Sequence, residues 1–345
     1  MNTRTPAVFY VLTAFTLAAC AEQVSFRVDR TQPEPPVVTG DDDDDPPIGD
    51  DDDDDDDDDD PTLPDDCSLP VGPAPWTYLT WVPPSEEFVF DDSGYLFNVD
   101  AFPDLVWRTP FGGPHEIVAP YQSREVAGTR FLLDGDLVVC DEGDDAVVRI
   151  GMDGGSELIA GGLTSPNSVA VDDKGQVYVT AYDEVWRLDP DNGDKTFLHA
   201  VPGSDLDGLT FSPDFKSLYF NQDEGGAIGL IELDDEGNAL DAYVVGNAPA
   251  DFWNELDGMT TDECGNVYVV RIDGRIWRLN TDLTMEPVAD LTEEYPTATS
   301  INFGSGVGAW ERDHLYVMDR QGGMFDIDIG VRGKWEPHLP GGPAR

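Results

Sequence analysis

Six copies of one β-rich unit fill most of this 345-residue chain and restrict the folds open to it. Each copy opens with two short runs of alternating apolar residues joined by a polar turn, as in NSVAVDDKGQVYVTA at 167–181. Such alternation predicts a pair of antiparallel strands with a tight connection. The copies begin at residues 86, 128, 167, 207, 257 and 300.

The spacing of these starts, 39 to 50 residues, suits one four-stranded antiparallel sheet per copy. Third strands such as VWRL at 185–188 and fourth strands such as TFLHA at 196–200 complete the unit. One such sheet cannot cover both of its faces, whereas six sheets stacked around an axis cover one another. We therefore predict an all-β fold, a six-bladed β-propeller of four-stranded antiparallel blades.

A short apolar segment at 75–82, containing TYLTW, precedes the first copy. We expect it to add a strand to the last blade near residues 334–339 and so to close the ring. Closure would remove exposed sheet edges, which otherwise invite pairing with other chains.

The N-terminus differs in composition from the repeats. Residues 1–20 contain one early basic residue, an apolar run too short for a transmembrane helix, and the ending Leu-Ala-Ala-Cys. They predict a secretory signal whose end resembles the bacterial lipobox, with Cys20 carrying the lipid. An ordinary signal peptide with a chance cysteine is the alternative. In either case we expect export, and the lipidated form would sit on the periplasmic or cell-surface face of a bacterial membrane.

Residues 21–66 contain several prolines and two aspartate runs, at 41–45 and 50–60. Repulsion among these 16 carboxylates prevents a packed core, so we predict a disordered tether followed by the propeller at 67–345. The net charge is −52, and −36 remains without the two runs. With only 19 Lys and Arg, the chain is not expected to bind nucleic acid. We expect a monomer that meets the membrane only through its lipid.

Three cysteines remain once Cys20 is assigned to the lipid: Cys67, Cys140 and Cys264. An odd number allows at most one disulfide, and export to an oxidising compartment favours one. Cys67, at the start of the folded domain, is the natural candidate for one end, and the sequence leaves its partner open. No Cys-x-x-Cys spacing occurs, so a structural zinc site is not indicated.

The first residue of each copy should face the central channel, because the first strands of a propeller are innermost. Three carboxylates and one amide stand at four of these positions, with Gly128 and Ser300 at the other two: Glu86, Asn167, Asp207 and Asp257. Such a cluster repels itself unless a hard cation sits among its members. Oxygen ligands favour Ca²⁺, with Mg²⁺ or Mn²⁺ as alternatives. The competing interpretation is that these side chains solvate the channel mouth or cap turns.

The same strand heads carry a family resemblance. DGMTTDECGNV at 257–267, DGLTFSPDFKSLY at 207–219 and PNS at 166–168 are similar to motifs of the gluconolactonase and senescence-marker-protein (regucalcin-like) family of six-bladed propellers. The resemblance covers about residues 72–340. Blade one keeps Glu86 but lacks the glycine and proline that follow it in the family.

The resemblance implies a divalent cation, commonly calcium, at the channel mouth, held by Glu86, Asn167, Asp207 and Asp257. It also implies that Asp257 acts as general base or nucleophile in the hydrolysis of a lactone or related ester. Asp207 stands where the family has asparagine. A third carboxylate should tighten cation binding, weaken the cation's pull on a substrate oxygen, and disfavour sugar acids and phosphoesters.

Two functions are compatible with these features. The first is an exported, calcium-dependent hydrolase of lactones or esters. The second is a non-catalytic, calcium-stabilised propeller that binds a carbohydrate, a peptide or a partner protein at the cell surface. The altered first motif, Asp207 and the predicted tether favour the second, and the overall resemblance favours the first.

Overall fold

The computed structural model describes Cys67 and residues 73–100, 105–121, 123, 125–223, 225–249, 255–294 and 296–342. The predicted signal peptide, Cys20 and the tether at 21–66 lie outside these residues. The described part consists of 24 strands and two short 3-10 helices. Within it, no helix has the length and apolar character needed to cross a membrane.

The strands follow the predicted repeats. The first three blades comprise β2 (Phe88–Phe90), β3 (Tyr95–Asp100), β4 (Leu105–Pro110), β5 (Glu116–Pro120), β6 (Val126–Phe131), β7 (Leu137–Asp141), β8 (Ala146–Ile150), β9 (Ser156–Gly161), β10 (Pro166–Val171), β11 (Val177–Ala181), β12 (Glu184–Leu188) and β13 (Lys195–Ala200). The next two blades comprise β14 (Leu206–Phe211), β15 (Ser217–Gln222), β16 (Ala227–Leu233), β17 (Ala239–Asn247), β18 (Leu256–Thr261), β19 (Val267–Arg271), β20 (Arg275–Leu279) and β21 (Met285–Asp290). The sixth comprises β22 (Ala298–Phe303), β23 (His314–Asp319), β24 (Gly323–Asp328) and β1 (Trp76–Trp81).

Every strand pair within these sheets is antiparallel, and the described residues form six sheets of four strands each. The first strand of each blade is buried on both faces, as β6 and β22 illustrate, whereas in fourth strands such as β9 most residues are exposed. Innermost strands need apolar residues on both faces because blades pack on either side of them. The all-β, six-bladed propeller prediction is confirmed.

Apolar side chains fill the spaces between neighbouring blades. Six clusters occur among the described residues, one for each adjacent pair of blades. The cluster between blades six and one contains Phe88, Trp310 and Tyr316, all nearly or wholly inaccessible to solvent. Trp310 also donates from its indole nitrogen to the carbonyl oxygen of Gly94, at 3.1 Å. The ring is therefore packed continuously, including across its point of closure.

The N-terminal strand closes the ring, as expected, but it pairs with a different segment from the one predicted. β1 pairs with β24 as the outermost strand of blade six. The expected pairing near residues 334–339 is wrong. That segment contains turns and lies against the channel instead, where the Lys334 amide donates to the Thr261 carbonyl oxygen at 3.0 Å.

Charged side chains fill the central channel between its two openings. Lys334 and Glu336 form an ion pair at 2.5 Å, with 4% of the Lys334 side chain exposed. Glu87 and Arg130 form a second pair at 2.5 Å, and both side chains are nine-tenths buried. Buried charges are tolerated when paired in this way. The C-terminal segment thus covers one end of the channel, and His338 anchors it by a 2.7 Å hydrogen bond with the Phe90 carbonyl oxygen.

The disulfide joins Cys67 to Cys264, with Cα atoms 5.9 Å apart and a sequence separation of 197. Cys67 is one end, as expected, and the partner that the sequence left open lies in the turn between β18 and β19. Cys140 keeps a buried free thiol whose pKa is raised well above its ordinary value by burial.

Removing this disulfide should lower the free energy of unfolding by about 2–5 kcal/mol, because it closes a long loop in the unfolded chain. We expect this loss in a Cys67→Ser/Cys264→Ser variant, measured by guanidinium denaturation. Wild-type protein unfolded with a reducing agent should match the variant. Equal unfolding free energies for oxidised wild type and variant would contradict the assignment.

Candidate functional site

A cavity of about 270 Å³ opens at the end of the channel opposite the C-terminal segment. All four predicted ligands line it: Glu86, Asn167, Asp207 and Asp257. Gly128, at the head of blade two, lines it as well. Ser300 does not; its neighbour Thr299 faces the cavity instead, because Thr299 is the second residue of its strand, the position that Asn167, Asp207 and Asp257 hold in theirs.

Close backbone contacts between blades bring these strand heads together. A Cβ atom at Gly208 would lie 2.5 Å from the Asp257 carbonyl oxygen, and one at Gly258 would lie 2.8 Å from the Thr299 carbonyl oxygen. Any side chain at either glycine would push neighbouring blades apart. The Asp-Gly pairs in blades four and five therefore combine a carboxylate with the small residue that lets the next blade approach.

Side chains from second strands hold the main chain at two of the heads. Thr180 on β11 donates its hydroxyl to the Asp207 carbonyl oxygen at 2.9 Å, and Asn221 on β15 donates its amide to the Asp257 carbonyl oxygen. Both bonds cross from one blade to the next. They fix the backbone of the two aspartates and leave the carboxylates free to face the cavity.

The cavity is strongly acidic. Besides the predicted ligands, its described lining includes five more carboxylates: Glu87, Glu125, Glu142, Asp223 and Glu255. Arg320 is the one cation among the described lining residues. Glu87 is already paired with Arg130 at the base of the cavity and accepts a 2.6 Å hydrogen bond from the Thr129 amide.

Several of these lining residues were missed in the sequence, although they share one position in the repeat. Glu142, Asp223, Ile272 and Arg320 each follow immediately after the second strand of a blade. Second strands run antiparallel to first strands, so the end of one and the start of the other lie at the same rim. Aligning the ends of second strands in the six copies would have identified this set.

Two of the carboxylates have strongly shifted acidities. Burial raises the pKa of Asp207 well above its ordinary value, and the charges of Asp223, Glu86, Glu87 and Asp205 raise it further. Burial likewise raises the pKa of Asp257, with contributions from Asp207, Glu86 and Asp223 that Arg320 partly opposes. Both carboxylates therefore resist ionisation while they lie close to other negative charges and out of bulk water.

Glu86 has a partner that the sequence did not suggest. Two guanidinium nitrogens of Arg320, Nε and one terminal nitrogen, contact the same carboxylate oxygen of Glu86. Burial raises the pKa of Glu86, and the charge and hydrogen bond of Arg320 act against that rise. Glu86 is thus turned toward an arginine on blade six.

The donor set fits a divalent cation. Its atoms are carboxylate and amide oxygens, which Ca²⁺ prefers, and its negative charges add to the effect of burial in raising the pKa values of Asp207 and Asp257. The buried Thr299 hydroxyl also lines the cavity and lacks a hydrogen-bond partner. Among the described residues, no three His, Cys, Asp or Glu side chains are grouped closely enough to coordinate a metal as they stand.

The raised pKa of Asp207 predicts a specific pH dependence in chelator-treated protein. An unfolded aspartate ionises near pH 4, whereas folded Asp207 holds its proton to higher pH, so its contribution to stability falls as pH rises between the two values. The stability of Asp207→Asn relative to wild type should therefore increase from about pH 4 upward, by at most about 1.4 kcal/mol per pH unit.

The measurement is urea denaturation in EDTA at several pH values. Asp282→Asn is the control, because exposed Asp282 accepts hydrogen bonds from Thr284 that lower its pKa. Replacing Asp282 should bring no gain in stability that grows with pH. If the stability of Asp207→Asn relative to wild type stays constant or falls as pH rises, the assigned rise in the pKa of Asp207 is contradicted.

Comparison with known proteins agrees with this architecture. A pentonolactonase, XacC of Haloferax volcanii, is 26% identical over 303 residues, which cover 78% of this chain and 94% of the relative. A calcium-binding regucalcin from Agrobacterium tumefaciens superposes with a TM-score of 0.63 at 18% identity, covering 77% of this chain and 97% of the other. A gluconolactonase from Xanthomonas campestris gives a TM-score of 0.58 at 19% identity, covering 75% and 99%.

At these identities the two solved structures establish the shared fold. The family follows from the sequence match, which runs from residue 85 to residue 318 and includes all six strand heads. Since this match spans well over half of the chain, the protein belongs to the SMP-30/Gluconolactonase/LRE-like family.

Proposed function

We propose that this protein is a divalent-cation-dependent hydrolase of neutral lactones. The observation that carries the proposal is the convergence of Glu86, Asn167, Asp207 and Asp257 on one acidic cavity. The family match and the lactone-hydrolysing relatives support the reaction class.

These same four side chains would hold the cation, and Ca²⁺ is the first candidate because the donors are all oxygen. When bound, the cation would supply a Lewis acid that polarises the lactone carbonyl. Asn167 would add a neutral donor, and the three carboxylates would hold the ion strongly.

Asp257 is the proposed general base. Its carboxylate lines the cavity, where a bound cation would keep it ionised and able to accept a proton. A water oxygen would attack the lactone carbonyl carbon while Asp257 accepts the water proton. The ring C–O bond then breaks, and that proton passes to the departing ring oxygen, giving a hydroxy acid. The hydrogen bond from Asn221 and the contact with Gly208 hold Asp257 in position for this transfer.

The charge of the lining restricts the substrate. Eight carboxylates and one arginine face the described cavity, so an anionic lactone would meet repulsion even with a bound divalent cation. A neutral, hydroxyl-rich lactone would not, because it carries no charge for the carboxylates to repel. The same field would favour release of the anionic product.

A non-catalytic, cation-stabilised propeller that binds a carbohydrate, peptide or partner protein is the second candidate. One observation favours it: Glu86 is already paired with Arg320. We further propose that the protein is exported and anchored through lipid on Cys20, which rests on the sequence pattern at residues 1–20.

The two functions differ in turnover. With Ca²⁺ present, we expect hydrolysis of neutral five- and six-carbon aldonolactones, loss of activity in EDTA, and at least tenfold lower kcat/KM for a lactone bearing a free carboxylate. Asp257→Asn should lower kcat about 100-fold or more, since general-base catalysis contributes roughly 10²–10⁴. The measurement is proton release in a weakly buffered pH-indicator assay.

Asp282→Asn is the matched control, because it makes the same chemical change at an exposed turn of the same blade. It should keep wild-type kcat. Absence of turnover across neutral lactones and simple esters, in folded protein with Ca²⁺, Mg²⁺ or Mn²⁺, would remove the enzyme proposal and favour the binding function.

A further inference from the structure

The pairing of Arg320 with Glu86 joins the two ends of the repeat series. Glu86 precedes the first strand of blade one, and Arg320 follows the second strand of blade six. Both Arg320 nitrogens that contact Glu86 bind the same oxygen, so the guanidinium lies where a small cation bound to that oxygen would also lie.

The backbone that carries Arg320 is firmly held. The Arg320 amide donates to the Thr297 carbonyl oxygen at 2.8 Å, and Asp319 accepts from the amides of Gln321 and Gly323 at 2.7 and 3.1 Å. Trp81, at the end of β1, donates its indole nitrogen to the Gln321 carbonyl oxygen at 2.6 Å. The guanidinium is thus delivered to the cavity rim by a fixed turn, and only the side chain is free to move.

The Arg320 side chain is 54% exposed, whereas that of Glu86 is 22% exposed. An exposed guanidinium can move into solvent with little loss of hydration, but Glu86 must remain near the other carboxylates. A cation entering the cavity would therefore displace the arginine and keep the glutamate.

We propose that Arg320 is an internal counter-ion, which neutralises Glu86 when the site holds no divalent cation and is displaced from it when a cation binds. Arg320 thereby lowers the affinity of the site for the cation. The inference rests on the cation-binding part of the proposed function and is independent of whether a lactone is hydrolysed.

Calorimetric titration of the full chain with Ca²⁺ tests this role. Because the aspartate runs of the tether also attract calcium, an Asp207→Asn/Asp257→Asn variant supplies the background that is subtracted from each titration. Arg320→Gln should bind Ca²⁺ about three- to tenfold more tightly than wild type at low ionic strength, the range for a partly exposed ion pair and its local field. Arg320→Lys, which keeps the charge without the two-nitrogen contact, should fall between them.

The decisive comparison repeats Arg320→Gln in a Glu86→Gln background. A counter-ion acting through Glu86 should then change calcium affinity by less than about twofold, because the shared partner is gone. Arg108→Gln is the matched control: Arg108 pairs with Glu116 at 2.7 Å on the outer strands of blade one, with 42% and 45% of the side chains exposed. It should leave calcium affinity within twofold of wild type.

Three results would overturn the proposal. The first is an equal effect of Arg320→Gln with and without Glu86, which would indicate only a general field. The second is unchanged or weaker calcium binding in Arg320→Gln that is folded by its melting curve. The third is absence of saturable Ca²⁺, Mg²⁺ or Mn²⁺ binding above background. Because the readout is cation binding, a protein that binds as predicted but hydrolyses no lactone would uphold this inference while overturning the enzyme proposal.

Discussion

The pairing of β1 with β24 is the contact on which the rest of the structure depends. Blades one and six are neighbours only because the chain ends meet there, and the apolar cluster around Phe88 and Trp310 seals the junction. Asn302 reinforces it by donating to the Phe88 carbonyl oxygen at 2.7 Å. An open ring would leave this cluster in water, where each large side chain loses about 1.5–3 kcal/mol of burial energy. It would also separate Glu86 from the carboxylates of blades four and five.

In the closed ring, repulsion between carboxylates is the main unfavourable interaction at the channel mouth. Strand heads must converge there, so carboxylates at matching positions are forced together. Burial, and then the repulsion among these charges, raises the pKa values of Asp207 and Asp257. Arginines from other blades reduce this repulsion. Arg130 pairs with Glu87 at the cavity base, and Arg320 pairs with Glu86 at the rim. The first pair is buried, whereas the second is more exposed, and it is this second pair that we propose a cation displaces.

The sixfold sequence repeat explains how much of the fold and of the cavity could be predicted from the sequence. Because the same turn and strand pattern recurs six times, the blades, their first strands and four cavity residues followed from alignment of the copies. Ser300 was placed one residue too late, because the cavity position is the second residue of the first strand, which in blade six is Thr299. The sequence predicted that the N-terminal strand closes the ring. It did not identify β24 as the strand with which β1 pairs, since residues 323–328 and 334–339 are both short and partly apolar.

The residues that the sequence did not reveal are those defined by contacts between blades. The choice of Cys264 over Cys140 depends on where each lies in the folded ring, since Cys264 lies in a turn and Cys140 is buried within β7. Arg320 meets Glu86 across 234 residues of sequence. Neither has a local pattern. The family membership supports the proposed lactone chemistry, whereas the acidity of the cavity and its arginine are features of the structure of this chain.

A crystal structure determined with Ca²⁺ would test the central claim most directly. Our account predicts one cation at the channel mouth, about 2.3–2.6 Å from oxygens of Glu86, Asn167, Asp207 and Asp257, with the Arg320 guanidinium turned away from Glu86. A cavity without a cation at saturating Ca²⁺, or a cation held elsewhere while Arg320 still contacts Glu86, would contradict it.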